Sequence, residues 1–390
     1  MSDLVAAARD AQQDILVDVV DLVGVESHSY DRAALEACRR HVQTLAVRLL
    51  GPPDDEDVLD GGERGDTLLL TWRGTGAGRV LVVGHYDTVW PTGTLADWPV
   101  RADVRDGVEV LTGPGIFDMK TGLVQSLWAV KLLREQGDGA RVPSVTFLLN
   151  GDEEVGSLSS RPHIEAAARQ VDAALVFEPT LDGAVKTGRK GIGLFEFHVT
   201  GVEAHAGLDP TAGASAIHAL AEAITAATKV ADLNAGTSVN VGLISGGTGT
   251  NVAAGRAWAR IDIRVSDEAE KARVDTAFDA ITPSDPRVQL RVDHRWNRPV
   301  MALDTTMRPL LDVVVAAGHD VGLDLDHVSV GGGSDANFIA GIGVPVICGR
   351  GAVGAGPHSR DEYIVPGRIA DYTALGARVL QRLADGLPTS

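Results

Sequence analysis

The chain is 390 residues long with 44% hydrophobic and 23% charged residues, the composition of a globular protein and a length that suits two domains better than one. Its 35 Lys and Arg stand against 53 Asp and Glu, a formal charge of −18, so nucleic-acid backbones and anionic membrane surfaces are disfavoured as partners. No apolar run is long enough to cross a bilayer, the start lacks a secretory pattern, and the two cysteines, Cys38 and Cys348, form no CxxC; a cytoplasmic protein is expected, with any metal held by His, Asp and Glu.

In chain order, residues 3–23 and 31–50 carry apolar residues at helical spacing and predict two outer helices. Residues 51–65, rich in Gly, Pro and Asp, predict a loop, whereas 67–72 and 79–84 are runs of Leu, Val and Thr that predict buried strands. A helix over 120–135, a strand over 144–150, a helix over 159–169 and a strand over 173–177 follow. This alternation implies an α/β domain, a largely parallel sheet with helices on both faces, in which ligands gather at the carboxyl ends of the strands.

The Gly-rich basic stretch 186–193 (KTGRKGIG) breaks the alternation and predicts a hinge. Beyond it, 194–200, 238–245 and 257–265 alternate apolar and polar, 212–227 and 267–281 have helical spacing, and 288–296 closes the set. That βαββαβ pattern predicts an inserted α+β domain over 189–298, with the first domain made of 1–188 and 299–390. A helix over 307–318, a strand over 344–348 and a helix over 368–384 return to the earlier style.

Five places put an imidazole or a carboxylate just past a predicted strand or in a Gly-rich turn. The strand ending at Gly84 runs into His85, with Asp87 two positions on, where a carboxylate can accept the far ring N–H and fix the tautomer. Asp118 lies in the turn 113–120 (GPGIFDMK), the strand 144–150 delivers Asp152, Glu153 and Glu154, the strand 173–177 ends at Glu178, and His358 lies in GPHS. Imidazoles and carboxylates together suit one or two divalent cations, zinc first, with manganese or cobalt as alternatives. Two ions joined by one carboxylate would acidify a water between them and make the reaction a hydrolysis, with a non-ligating carboxylate moving the proton. The neighbours Glu153 and Glu154 offer a ligand and a base in one step. The runs SGGTG and GGGSD lack the Lys and Ser/Thr of a phosphate loop, so no nucleotide site is expected.

The strings GHYDTVW, GPGIFDMKTG, NGDEEVGS, FEP and GPHS occur in this order and span nearly the whole chain. They resemble the dinuclear zinc peptidases and deacylases that include carboxypeptidase G2, aminoacylase-1, acetylornithine deacetylase and succinyl-diaminopimelate desuccinylase. The resemblance implies two Zn2+ ions bridged by Asp118, one completed by His85 and Glu178, the other by Glu154 and His358. It implies Glu153 as general base and Asp87 as the residue that orients His85. The inserted segment is similar to the family's lid and dimerisation domain, which implies a homodimer. Within it the resemblance gives His205 (VTGVEAHAG) the task of polarising the scissile carbonyl in the partner's site, through an N–H aimed at the developing oxyanion. Asn251 (GTGTNVA) and Arg298 (WNRPV) look like contacts to the free carboxylate of the substrate, which a planar guanidinium pairs two oxygens at a time. Gly333, in GGGSD, looks like part of a pocket floor made of backbone groups.

Family aminopeptidases and dipeptidases tend to carry Asp where this chain has Glu178, so the resemblance runs closest to the carboxypeptidase G2-like branch. It implies cleavage of the amide bond of an N-acyl amino acid, or of the C-terminal residue, glutamate among the candidates, of a short peptide. The stretch around Lys186, Arg189 and Lys190 offers a receptor for a second carboxylate. Two alternatives stay open: an aminopeptidase or dipeptidase of the same fold, and a metal-free binding or scaffold protein that keeps it.

Overall fold

The computed structural model describes residues 3–137 and 141–388. The chain forms two units, the first comprising Met1–Gly188, Leu303–Ser329 and Ser334–Ser390, the second Arg189–Ala302 and Val330–Gly333. The second unit thus runs past the expected limit of 298 to Ala302, and it takes in a short segment from within the later stretch of the first.

At the centre of the first unit is a six-stranded sheet in the order Asp55–Leu59, Gly65–Trp72, Ser144–Gly151, Arg79–His85, Ala173–Val176, Val346–Ile347. The last four strands run parallel, Gly65–Trp72 pairs with them antiparallel, and Asp55–Leu59 pairs antiparallel with Gly65–Trp72. Parallel strands must be covered on both faces, and Val80, Leu81, Val82 and Val83 are all buried. The helix Thr121–Arg134 buries almost its entire circumference. It packs against Gln12–Val23, Arg32–Leu50 and Ile369–Arg382. Asp31 starts Arg32–Leu50 by accepting the N–H groups of Ala33 and Ala34, and Gly51, at φ 77°, ends it.

Several elements differ from expectation. The helix expected over 3–23 is two, Asp3–Asp10 and Gln12–Val23. The expected loop 51–65 contains the strand Asp55–Leu59 (DEDVL), exposed along most of its length and held by pairing with residues 67–71. Residues 101–112 form an unanticipated hairpin, Arg101–Arg105 with Val108–Thr112, turned by Asp106 and Gly107 at φ 50° and 80°. Its second strand also pairs with Tyr363–Ile364, which in turn pairs with Gly354–Ala355. This small sheet leads directly into the turn that carries Asp118.

The second unit is an antiparallel sheet in the order Ser238–Gly246, Arg256–Val265, Gly191–Thr200, Gln289–Asp293, with Trp296–Arg298 also on Gly191–Thr200. Burial alternates along Arg256–Val265, so one face is inside. That face packs Phe195, Phe197, Ile261 and Ile263 with Leu220 and Phe278 from the helices Ala216–Thr228 and Glu268–Asp279. The stretch 186–193, expected as a hinge, is strand on either side of Lys190, Val185–Arg189 and the start of Gly191–Thr200, and the division between the two units falls within it. Gly193 also makes room, since a Cβ there would meet the rings of Phe195 and Trp296 at 3.0 and 3.1 Å.

Candidate metal centre

Three neighbouring parallel strands of the first unit end side by side and present its polar chemistry along one edge of the sheet. His85 is the last residue of Arg79–His85 and is paired in register with Asn150. Past Gly151 the chain runs through Asp152 into the short 3-10 turn Glu153–Val155, and past Val176 it reaches Glu178. Asp118 comes from the turn before Thr121–Arg134, where its φ of −114° and ψ of 100° are not helical and the Asp118–Met119 peptide is cis. His358 comes from the loop between Gly354–Ala355 and Tyr363–Ile364, at φ 59° in the left-handed region uncommon for a non-glycine residue.

Among the described residues two groups have the donors and spacing to hold a metal ion: His85, Asp118 and Glu178, and Asp118, Glu154 and His358, with donor atoms within 4.8 Å of one another. Asp118 is common to both. Its Oδ1 lies 3.3 Å from His85 Nε2 and its Oδ2 3.5 Å from His358 Nε2. Glu178 Oε1 is 4.0 Å from His85 Nε2, and Glu154 Oε2 is 2.9 Å from His358 Nε2.

Asp87, fully buried, organises this arrangement. His85 Nδ1 lies 3.0 Å from the carbonyl oxygen of Asp87 and 3.3 Å from its Oδ1, which assigns the ring proton to Nδ1 and turns the Nε2 lone pair toward Asp118. The same carboxylate accepts the N–H groups of Glu153 and Glu154 at 3.3 and 3.2 Å and the hydroxyl of Ser29 at 2.7 Å. One side chain therefore fixes the first histidine and the acidic turn together.

The donor set fits a cation. With the His85 proton on Nδ1, the acceptors Nε2 and Asp118 Oδ1 face each other, an arrangement satisfied by a cation or by a second ring proton between them. Glu154 Oε1 is buried with no hydrogen-bond partner. The protein groups register the same demand. Burial pushes Glu154 up to about 7, with the charge of Asp118 adding and the hydrogen bond from His358 opposing. Hydrogen bonds to Asp118 and Glu154 push His358 up to about 11. Burial works against charging His85, yet Asp118 and Asp87 hold it well above the ordinary histidine range. Burial likewise works against Asp118, and the hydrogen bonds from His358 and His85 outweigh it and hold the carboxyl well below the usual range.

Glu153 is partly buried, near enough to His85 for its charge to favour the protonated ring, and belongs to neither ligand group. Asp152 turns elsewhere: its Oδ2 accepts Ser159 N, Ser159 Oγ and Ser160 N at 2.8, 2.6 and 3.3 Å, just ahead of the helix Arg161–Ala168. Sequence reading missed Glu362, four residues beyond His358, whose buried carboxylate accepts N–H groups from the Asp118 turn. Burial pushes it up to about 7 against those hydrogen bonds. An acid so soon after a candidate ligand was the available signal. A groove of about 670 Å³ lined by Leu16, Val17, Val20, Val104 and Leu111 contains none of these residues.

The other expected residues lie in the second unit. His205 and Asn251 are exposed and adjacent, with His205 bridged to Val252 and the N–H of Ala206 donated to the carbonyl of Asn251 at 2.8 Å. His205 Nδ1 accepts the N–H groups of Gly207 and Leu208, both at 3.1 Å, so the neutral ring carries its proton on Nε2. Arg298 is buried, and a Cβ on Gly333 would meet its Cδ at 2.6 Å, so glycine is what lets this loop approach the arginine. Arg189, read from sequence as a receptor for a second carboxylate, donates from Nη1 to the carbonyls of Gly332 and Gly333 at 2.9 and 2.8 Å.

The model of peptidase family M20/M25/M40 matches residues 81–385. Carboxypeptidase G2 of Pseudomonas sp. (strain RS-16) is 29% identical over 389 residues, 98% of this chain and 92% of the relative. Succinyl-diaminopimelate desuccinylase of Polaromonas sp. is 30% identical over 370 residues, 90% and 83% of the two chains. Among solved structures, aminopeptidase PepT from Bacillus cereus superposes with a TM-score of 0.74 at 22% identity, over 96% of this chain and 99% of that one, a likeness of fold.

Proposed function

The chain belongs to peptidase family M20/M25/M40 and is a hydrolase, and from that premise we propose that it cleaves the amide bond of an N-acyl amino acid, or releases the C-terminal residue, glutamate among them, of a short peptide. The observation that carries this reading is the pair of ligand groups sharing Asp118. Two divalent cations, zinc in this reading with manganese or cobalt as alternatives, would supply an acidified water and Lewis-acid polarisation of the scissile carbonyl. His85 and Glu178 would hold one, Glu154 and His358 the other, with Asp118 common to both.

In this reading Glu153 accepts a proton from the attacking water and returns it to the leaving nitrogen. Asp87 keeps His85 in the tautomer that exposes Nε2, and holds Glu153 and Glu154 through their N–H groups. Arg298, Asn251 and Gly333 receive the free carboxylate of the substrate, and Nε2–H of His205, from a partner subunit, donates to the developing oxyanion. The first unit is assigned as the metal-binding catalytic domain and the second as a lid and dimerisation domain. The edge strand Ser238–Gly246, with Leu243 and Ile244 exposed, supports a homodimer. A cytoplasmic location belongs to the same proposal and rests on cysteine usage.

A hydrolysis panel tests the substrate class: N-acyl amino acids and N-blocked C-terminal glutamyl peptides, their methyl esters, and free-amine dipeptides, each with added zinc, manganese or cobalt. The proposal expects turnover of the blocked acids and loss of turnover in the esters. Preference for free amines would identify an aminopeptidase or dipeptidase instead, and absence of both turnover and metal binding would leave a binding or scaffold protein.

A further inference from the structure

We propose that Glu362 is a positioning residue for Asp118, so that one loop, residues 354–364, supplies both the ligand His358 and the brace that aims the carboxylate shared by the two ligand groups. The inference rests on the two-cation reading given above.

Glu362 is fully buried and accepts four N–H groups. Its Oε1 takes those of Phe117 and Asp118 at 2.8 and 3.1 Å, and its Oε2 takes those of Gly115 and Trp90 Nε1 at 3.1 and 3.0 Å. The Asp118 turn thus wraps its backbone donors around a side chain 244 residues away in sequence. Pairing explains the proximity: Tyr363 and Ile364 are in register with Thr112 and Leu111, so Glu362 arrives beside the start of the turn it holds. Four residues earlier the same loop delivers His358 to Glu154.

Only a carboxylate satisfies this cluster. Two oxygens that solely accept meet two donors each, whereas an amide of the same shape would turn an NH2 group toward N–H donors and leave them unpaired in a buried place. The brace matters because Asp118 sits in non-helical backbone, where no helical ladder fixes its N–H. Its two oxygens face different histidines at 3.3 and 3.5 Å, so any tilt of the turn misdirects both together.

The test uses the full chain, stripped of metal and titrated with Co2+, reading the ligand-field absorption and the binding isotherm, with melting of the metal-free proteins as a control. Wild type is expected to take up two Co2+. Glu362→Gln is expected to lose affinity about 10- to 100-fold, the usual cost of removing an outer-shell partner, and to change the absorption spectrum. Wild-type affinity and spectrum in a folded Glu362→Gln protein would overturn the inference alone, whereas failure of wild type to take up two ions would overturn the two-cation reading and the inference with it. Should Glu362→Gln not fold, Trp90→Phe removes one of the four donors and carries the test. A severalfold loss of Co2+ affinity is then expected, and an unchanged isotherm overturns the inference.

Discussion

Glu153 and Glu154 are chain neighbours whose N–H groups are held by the two oxygens of one carboxylate, Asp87, and their side chains part from there. Glu154 faces His358, while Glu153 belongs to neither ligand group, which supports the acid–base role proposed for it. Glu153→Gln is expected to lower kcat by about 10²- to 10⁴-fold, the contribution of a placed general base, with metal content by elemental analysis unchanged. Near-normal turnover in that variant would remove the base assignment. Arg350 poses a different problem: it is fully buried, its Nε, Nη1 and Nη2 have no hydrogen-bond partner among the described residues, and burial pulls its pKa down to about 10. A buried charge without a partner costs more than the packing of its stem returns. Arg350→Met is therefore expected to keep or raise stability in chemical denaturation, and a loss of stability would contradict the view that the guanidinium is uncompensated.

Among elements, the strands that sequence reveals carry either an apolar run or an apolar–polar alternation. Residues 79–84 and 144–150 are apolar runs because helices and neighbouring strands leave no polar side, and the structure places strands there. Asp55–Leu59 and Arg101–Arg105 were hidden for the opposite reason: their side chains are mostly exposed and charged, and only pairing with a neighbour makes them strands. The Asp106-Gly107 pair was a legible hairpin signal that their charge obscured. Glycines in 186–193 read as a hinge, and the division between the units does fall there, but their close packing inside strands was not legible. Edge strands have a consequence of their own. Ser238–Gly246 pairs on one side only and exposes Leu243 and Ile244, which suits a second copy of this chain. Leu243→Lys with Ile244→Lys is expected to shift the protein from dimer to monomer in sedimentation velocity while leaving its melting nearly unchanged. A wild-type chain that is monomeric at micromolar concentration would contradict the homodimer.

At the scale of the whole molecule, the side chains that strand ends present were readable because a parallel sheet gathers its carboxyl ends on one edge. His85, Glu153, Glu154 and Glu178 follow from that rule together with the alternation of strands and helices. Glu362 was signalled only by its place four residues after His358, because it acts on backbone N–H groups 244 to 247 residues away rather than through a motif. The membership of Val330–Gly333 in the second unit escaped notice because only tertiary contacts define it. The central claim is that residues from five separate stretches hold two cations around Asp118. Anomalous diffraction at the zinc edge from crystals of the zinc-saturated protein measures this directly. Two peaks are predicted, both at Asp118, one shared with His85 and Glu178 and the other with Glu154 and His358. A single peak, or none at these side chains under saturating zinc, would contradict the account.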